Sequence, residues 1–312
     1  MISVIVIGRN EGERLSRCLS SVSTALGFLS HELIYVDSGS TDDSLARARR
    51  AGAACYRLLE AQPTAGLGRA VGAAHAKGEF LLFLDGDMSL LPGFCEQAIQ
   101  ILAQGRAEAV TGQRTDVYLQ DGREAGREEN YFHCTEARIC PEFGGALFIA
   151  AKALRLAGGW SGDPIACEEA ELHARLKASG ARVLEIPIPM ILHTDTVRES
   201  RGLFSAVFSR RRLGEGQALR AAFRRGAGRA YLRHARTKLI FWALDLSCLL
   251  ALVFHGRWGL LWLAPLQGVQ IGHFLAHRTP RAFVSQKLFF FALPIGFVRY
   301  RTRRMDAEEV KP

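Results

Sequence analysis

Two carboxylates, Asp85 and Asp87, stand one glycine apart directly after an unbroken apolar run, Phe80-Leu81-Leu82-Phe83-Leu84. A divalent cation such as Mg²⁺ or Mn²⁺ prefers oxygen, dehydrates reluctantly and is usually held by one or two carboxylates plus substrate phosphates. Asp85 and Asp87, with flexible Gly86 between them, can lean toward one such ion. The same trio also serves ordinary turns, so position has to decide. A five-residue apolar run bounded by polar and turn-forming residues reads as a strand buried on both faces, of the kind parallel sheets use. The aspartates then sit at its C-terminal edge, where ligands bind in open α/β sheets.

Such an edge requires neighbouring strands with crossovers, and the preceding residues supply them. Ile2 to Ile7 is a β-branched strand, Glu13 to Leu26 places Leu15, Cys18, Leu19, Val22 and Leu26 on one helical face, and Glu32 to Val36 is a second strand. In "SGSTDDSLARARRAG", Ser40 is the candidate N-cap of a helix that Gly52 stops. A strand from Ala54 to Leu59, a helix from Gly68 to Ala76 and the strand Phe80 to Leu84 follow. This alternation argues for right-handed crossovers and a mostly parallel, nucleotide-binding-type sheet. Downstream, Pro92 opens a helix ending near Gly105, and a strand covers Ala109 to Gln113. A less regular stretch runs from Arg114 to Pro141. "ALFIA" reads as a strand, Lys152 toward Gly158 and Glu168 to Ser179 as helices, and Arg182 to Ile186 as a strand.

With 48% apolar residues in 312, the chain can bury one large core or two smaller ones, which argues against disorder. Its seven cysteines form no CxxC pair, so a reduced cytosolic setting fits better than a disulfide framework or structural zinc. The opening "MISVIVIGRNEGERL" is too short in apolar length for a secretory signal and has no basic residue ahead of it, which keeps this part cytoplasmic. The net charge of +9 is uneven: Arg198 to Lys238 holds twelve Lys or Arg against Glu199 and Glu215. An anionic partner is implied, either nucleic acid or a bilayer. The apolar segments that follow, Leu239 to Phe254 and Trp258 to Ala276, approach the roughly 20 residues that span a bilayer and favour the membrane over nucleic acid. Basic flanks on both sides predict a membrane-anchoring hairpin with both ends cytosolic, and Leu288 to Val298, between Lys287 and "RYRTRR", reads as an interfacial helix. The competing reading is a soluble helical core, favoured by Asp245 and His273 within the segments.

Taken in order, "SVIVIGRNEGERLSRCLSSV", "ELIYVDSGSTDDS", "GLGRAVGAAHAKGEFLLFLDGDM", "FGGALFIAAKALRLAGGW" and "CEEAELHARLKASGARV" resemble the family 2 glycosyltransferases over about Met1 to Gly216. The resemblance implies a GT-A nucleotide-sugar-binding, Rossmann-like α/β fold with a mixed sheet flanked by helices. It implies inverting transfer of a sugar from a nucleoside-diphosphate donor, with a divalent metal (Mg²⁺ or Mn²⁺). Matched by position, Asn10, Glu11 and Asp37 belong to the nucleoside pocket. Arg69 matches an arginine of the family's donor motif, in which Ala70 replaces the usual asparagine. Asp85 and Asp87 match the metal-diphosphate motif, and His193 in "LHTDT" a late histidine that completes the metal site. Glu168, Glu169 and Glu171 match an acidic cluster whose second position, Glu169, is the general base in place of the commoner Asp. "FSRRRLGEG", Phe208 to Gly216, resembles the segment after the catalytic domain in nonprocessive members, and the QxxRW motif of processive synthases is absent.

These roles cohere physically, because a sugar hydroxyl attacks only as a base takes its proton, and a departing diphosphate needs its charge neutralised. Each also has a structural reading: an acidic helix start favoured by the dipole, a structural His193, turn residues at Asn10 and Asp37, and a core Trp160 instead of a sugar-facing wall. The expected organisation is a catalytic domain over 1–216, a basic juxtamembrane segment over 217–238, a transmembrane hairpin over 239–276, and an interfacial helix with a basic cytosolic tail over 277–312. A glycan or lipid-linked acceptor at the membrane follows from it. Two alternatives remain: a sugar nucleotidyltransferase, which would carry a lysine just after the first strand, and a non-catalytic membrane-tethered nucleotide-binding protein, which would lack the carboxylates.

Overall fold

The computed structural model describes residues 1–196, 209–255, 267–268, 271–272 and 290–310. Its centre is β1 (Ile2–Gly8), apolar on both faces and therefore flanked on both sides. Parallel to it lie β2 (His31–Asp37) and β4 (Phe80–Asp85), with β3 (Ala54–Leu58) outside β2. The register sets Gly8 beside Asp37 and Ile7 beside Asp85, so both aspartates flank the C-terminal end of β1. The crossovers are α1 (Glu13–Leu26), α2 (Ser44–Arg50) and α3 (Ala65–His75).

Beyond β4 the sheet turns mixed. β9 (Leu147–Ala150) runs antiparallel to β4 and to β6 (Ala109–Gln120), β6 is parallel to β10 (Val183–Thr196), and β5 (Met88–Leu90) is antiparallel to β10. β7 (Arg123–Glu128) folds back on β6, β8 (Arg138–Ile139) pairs with β10, and β11 (Ala307–Glu309) pairs with β3. One apolar layer holds α1 and α4 (Phe94–Ala103); the other holds α3, α5 (Ala151–Leu156) and α6 (Glu168–Ala178). The seven cysteines are free thiols.

Helix α3 reaches the sheet through glycine. A Cβ at Gly72 would lie 2.3 Å from Ile5 Cγ2 on the central strand. Gly72→Ala gains about 1 kcal/mol of helix propensity, but overpacking against a strand that cannot move costs about 1–3 kcal/mol. The clash wins at this distance, and a lower urea midpoint with unchanged slope is the expected result.

Several local expectations shift. Ser40 is not a helix cap, since α2 starts at Ser44 and Ser40 Oγ instead accepts from the Asn10 amide at 3.0 Å. Helix α3 begins at Ala65, where Thr64 Oγ1 accepts from the Leu67 amide. β10 continues to Thr196 because Pro187 and Pro189 fall where its pairing with β6 shifts register, and such irregularities tolerate a missing donor.

The basic segment is folded. α7 (Gly214–Arg224) and α8 (Gly228–His234) pack on α6 through Ala174, Ala218, Leu219, Ala222 and Tyr231, so the expected boundary at 216 falls inside α7. α9 (Arg236–His255) takes in the first apolar segment. Among the described residues no helix is long and apolar enough to cross a membrane, so the C-terminal membrane helices expected for Leu239 to Ala276 find no support. Part of this apolar surface is covered within the protein. Phe241 and Cys248 are buried, Trp242 Nε1 donates to the Phe290 carbonyl at 3.0 Å, and Asp245 accepts from Gln267 Nε2 at 3.0 Å. Most of Trp258 to Ala276 lies outside the described residues. In the expected interfacial helix, residues 290–298 pack on α7, with Ala292 and Leu293 buried and Gly296 against the Leu213 backbone.

Candidate active site

At the β1–β2 end, Asn10 adopts a left-handed conformation (φ 57°) that its short amide tolerates. Its Oδ1 accepts from the Thr41 amide at 2.8 Å, while the Ser44 hydroxyl accepts from the Glu11 and Gly12 amides. Asp37 is fully buried, and its Oδ2 accepts from the Gly39 and Ser40 amides at 3.2 and 3.0 Å. Asp37 and Asn10 together shape the 38–41 turn. Glu11 lies across the sheet edge: a Cβ at Gly86 would meet its Cγ at 2.8 Å, which is why glycine separates Asp85 from Asp87. Burial and then the Asp87 charge raise the Glu11 pKa.

Arg69 is only 1% exposed and joins two elements far apart in sequence. Its Nη2 donates to Asp85 Oδ1 at 2.7 Å, its Nη1 to Glu168 Oε1 at 3.0 Å, and Glu169 Oε1 stands 3.5 Å away. Trp160 lies beneath the guanidinium, 5.0 Å from it, and is buried against Phe83. Trp160 therefore packs in the core under Arg69 and does not form an open wall. Gly145 of "FGGALF" allows the close approach, because a Cβ there would lie 2.3 Å from Asp85 Oδ2 and 2.7 Å from Arg69 Nη2. Removing one partner of a buried charge network costs about 3–5 kcal/mol through the charges left behind. Arg69→Met, which strands Asp85 and Glu168, is expected to lower the unfolding free energy by about that amount in a urea titration.

The two adjacent glutamates differ. Glu168 has 8% of its side chain exposed and is held by Arg69, whereas Glu169 retains 24% and has the looser contact. Burial, then the charge of Glu168, pushes the Glu169 pKa up to about 7 against the opposing pull of Arg69. Glu171, third of the cluster, faces inward and makes a two-pronged ion pair with Arg175, whose other nitrogen donates to the Ala157 and Gly159 carbonyls.

The far side of the edge brings Asp87 and His193 together, with Nε2 3.3 Å from Asp87 Oδ2. Burial would raise the Asp87 pKa, but the hydrogen bond and charge of His193 outweigh it, and the net shift is downward. Among the described residues, Asp87 Oδ1 is buried without a hydrogen-bond partner. A buried, unpaired carboxylate oxygen beside an imidazole nitrogen fits a divalent cation. Asp85 is turned to Arg69, and among the described residues no group of three or more His, Cys, Asp or Glu could hold a metal alone. That fits an ion completed by phosphate oxygens and water. Three residues touching these groups carry no signal in the sequence beyond the "FGG" pair before an apolar strand: Arg114 and Asp116, each with a side-chain atom 3.0 Å from His193 Nδ1, and Gly145.

The family model described as "Glycosyl transferase family 2" matches residues 3–157, from β1 through α5, including Asn10, Glu11, Asp37, Arg69, Asp85 and Asp87. Over residues 3–157 the chain is similar to the family 2 glycosyl transferases. Glu168, Glu169 and His193 follow this glycosyl transferase region. Glycosyltransferase AglE of Haloferax volcanii is 29% identical over 136 residues, 42% of this chain and 44% of that protein. Glucosyl-3-phosphoglycerate synthase of Mycolicibacterium smegmatis is 34% identical over 93 residues, 28% of this chain and 31% of that protein. The matches thus span less than half the length of these two relatives. Mannosyltransferase PcManGT from Pyrobaculum calidifontis, solved in complex with GDP-Man and Mn²⁺, shares the fold. Its TM-score is 0.60 at 18% identity, covering 96% of this chain and 87% of that one.

Proposed function

We propose that the protein transfers a sugar, with inversion, from a nucleoside-diphosphate donor to an acceptor hydroxyl, assisted by a divalent cation. The observation that carries this reading is the Arg69 bridge, which binds Asp85, at the diphosphate edge, to the start of α6, where Glu169 stands. The glycosyl transferase family 2 match and the PcManGT complex support a nucleotide-sugar donor and a metal.

In this mechanism the turn built by Asn10 and Asp37 receives the nucleoside, and Asp85, Asp87 and His193 border the diphosphate. When bound by Asp87 and His193, a divalent cation such as Mg²⁺ or Mn²⁺ neutralises the charge that grows on the departing diphosphate. Glu169 accepts the proton of the acceptor hydroxyl as the oxygen bonds to the sugar C1. The bond from C1 to the phosphate oxygen breaks, and its electron pair leaves with the diphosphate. Glu168 is tied to Arg69, which leaves Glu169 as the accessible carboxylate and favours one displacement over two. A membrane-borne glycan or lipid-linked acceptor is a second reading, favoured by the exposed Leu249, Leu250, Val253 and Phe254 of α9.

The test is a panel of nucleotide sugars incubated with the protein and Mn²⁺ or Mg²⁺ without acceptor. Slow release of nucleoside diphosphate from one donor, abolished by chelation, is expected. No release from any donor, or pyrophosphate formation from a nucleoside triphosphate and a sugar phosphate, would contradict the assignment.

A further inference from the structure

Three neighbouring strands converge on His193. β10 carries it, β6 sets Asp116 opposite it in register, and β5 sets Met88 opposite it on the other side, next to Asp87. The Thr194 amide donates to the Asp87 carbonyl at 3.0 Å, which fixes the β5 side. The imidazole is thereby held between two carboxylates, with Nε2 toward Asp87 and Nδ1 3.0 Å from Asp116 Oδ1.

Nδ1 faces a second group with the opposite demand. Arg114 Nη2, which can only donate, lies 3.0 Å from the same nitrogen. A neutral imidazole has one donor and one acceptor nitrogen. If Nδ1 accepts from Arg114, the ring proton sits on Nε2 and no lone pair faces the Asp87 side. If Nδ1–H donates to Asp116, the Nε2 lone pair is free to bind a cation. Arg114 is already engaged with Asp116, donating from Nε to Oδ1 at 2.6 Å and from Nη2 to Oδ2 at 3.0 Å. It also lies over the Tyr131 ring at 5.0 Å, and the Tyr131 amide donates to its carbonyl at 2.8 Å. Asp116 itself is buried, so its carboxylate has few other partners to turn to.

We infer that Asp116, clamped by Arg114, is a positioning residue that places the His193 proton on Nδ1 and so presents Nε2 as a metal ligand. The inference rests on the metal assignment above and adds the pair that makes His193 a ligand. Carboxylates that hold a ligating histidine in this way typically contribute 10- to 100-fold in metal affinity.

Asp116→Asn keeps size; with its carbonyl oxygen in the Oδ2 place it still accepts from Arg114 Nη2, and its amide NH₂ then takes the Oδ1 place facing Nδ1 and reverses the preference. Titration of the full chain with Mn²⁺ alone, followed by the electron paramagnetic resonance of free Mn²⁺, is expected to show 10- to 100-fold weaker binding in Asp116→Asn. Nitrogen-15 spectra of labelled histidine, at a pH where the ring is neutral, are expected to move the proton from Nδ1 to Nε2. Arg114→Lys loosens the clamp but leaves the acceptor, and a smaller, few-fold loss is expected. Mn²⁺ affinity within threefold of the unaltered protein in folded Asp116→Asn, or an unchanged tautomer, would overturn the inference. Asp87→Asn separates the two levels. If it loses Mn²⁺ while Asp116→Asn keeps it, the metal assignment stands and the positioning role fails. If the unaltered protein takes up no Mn²⁺, both fail.

Discussion

Glu169→Gln is expected to lower the transfer rate by about 100- to 10,000-fold, the usual contribution of a positioned general base, while donor binding is retained. Glutamine fills the same space at the start of α6 and keeps a polar group near Arg69, so the fold is preserved, but it cannot take the acceptor proton. The neighbouring Glu168→Gln is a different case: it disturbs the Arg69 bridge and is expected to show mainly in stability. The pH profile gives a second readout. Burial, reinforced by Glu168, holds Glu169 up to about 7, and a base works only when deprotonated. Activity should therefore rise with pH through about 7 and fall roughly tenfold per unit below it, with the acid limb absent from the residual activity of Glu169→Gln. A rate flat from pH 5 to 8 in the unaltered protein would remove Glu169 from the role.

Asp87→Asn is expected to reduce metal-dependent turnover by on the order of 1,000-fold, because Lewis-acid neutralisation of a leaving phosphoryl oxygen is worth several kcal/mol and about 1.4 kcal/mol is tenfold in rate. Among the described residues Asp87 Oδ1 has no hydrogen-bond partner, so the substitution breaks no hydrogen bond on that oxygen, and an amide NH₂ in the Oδ2 place can donate to the Nε2 lone pair of His193. Folding should be intact by circular dichroism and thermal melting. A folded Asp87→Asn with full turnover, measured as nucleoside diphosphate released at saturating Mn²⁺, contradicts the assignment of Asp87 to the metal edge.

The donor half of the molecule was legible because its signals are local. An apolar run ending in Asp-Gly-Asp marks both a buried strand and the carboxylates at its C-terminal edge, and the helix over Glu13 to Leu26 emerges with the residues its periodicity marks. The Asp116–His193–Asp87 line was not legible, since it depends on the register of three strands that are distant in sequence, and register is a tertiary fact. Pro187 and Pro189 hid the length of β10 by resembling a strand end when they sit at its bulges. At the C-terminus, composition does not say what covers the apolar residues. Apolar residues of α9 that read as lipid-facing include Phe241 and Cys248, which pack inward, and the basic residues between 214 and 234 lie on two helices set on α6. Hydropathy counts apolar side chains without saying what covers them.

The proposed reaction is a single displacement with Glu169, the more exposed of the Glu168–Glu169 pair, as its base. Its most direct test is the anomeric configuration of the free sugar released when water replaces the acceptor, read by proton NMR before mutarotation with whichever nucleotide sugar the protein turns over. The account predicts a product of opposite configuration to the donor, a β sugar from an α-linked nucleotide. A product that keeps the donor's configuration would contradict it.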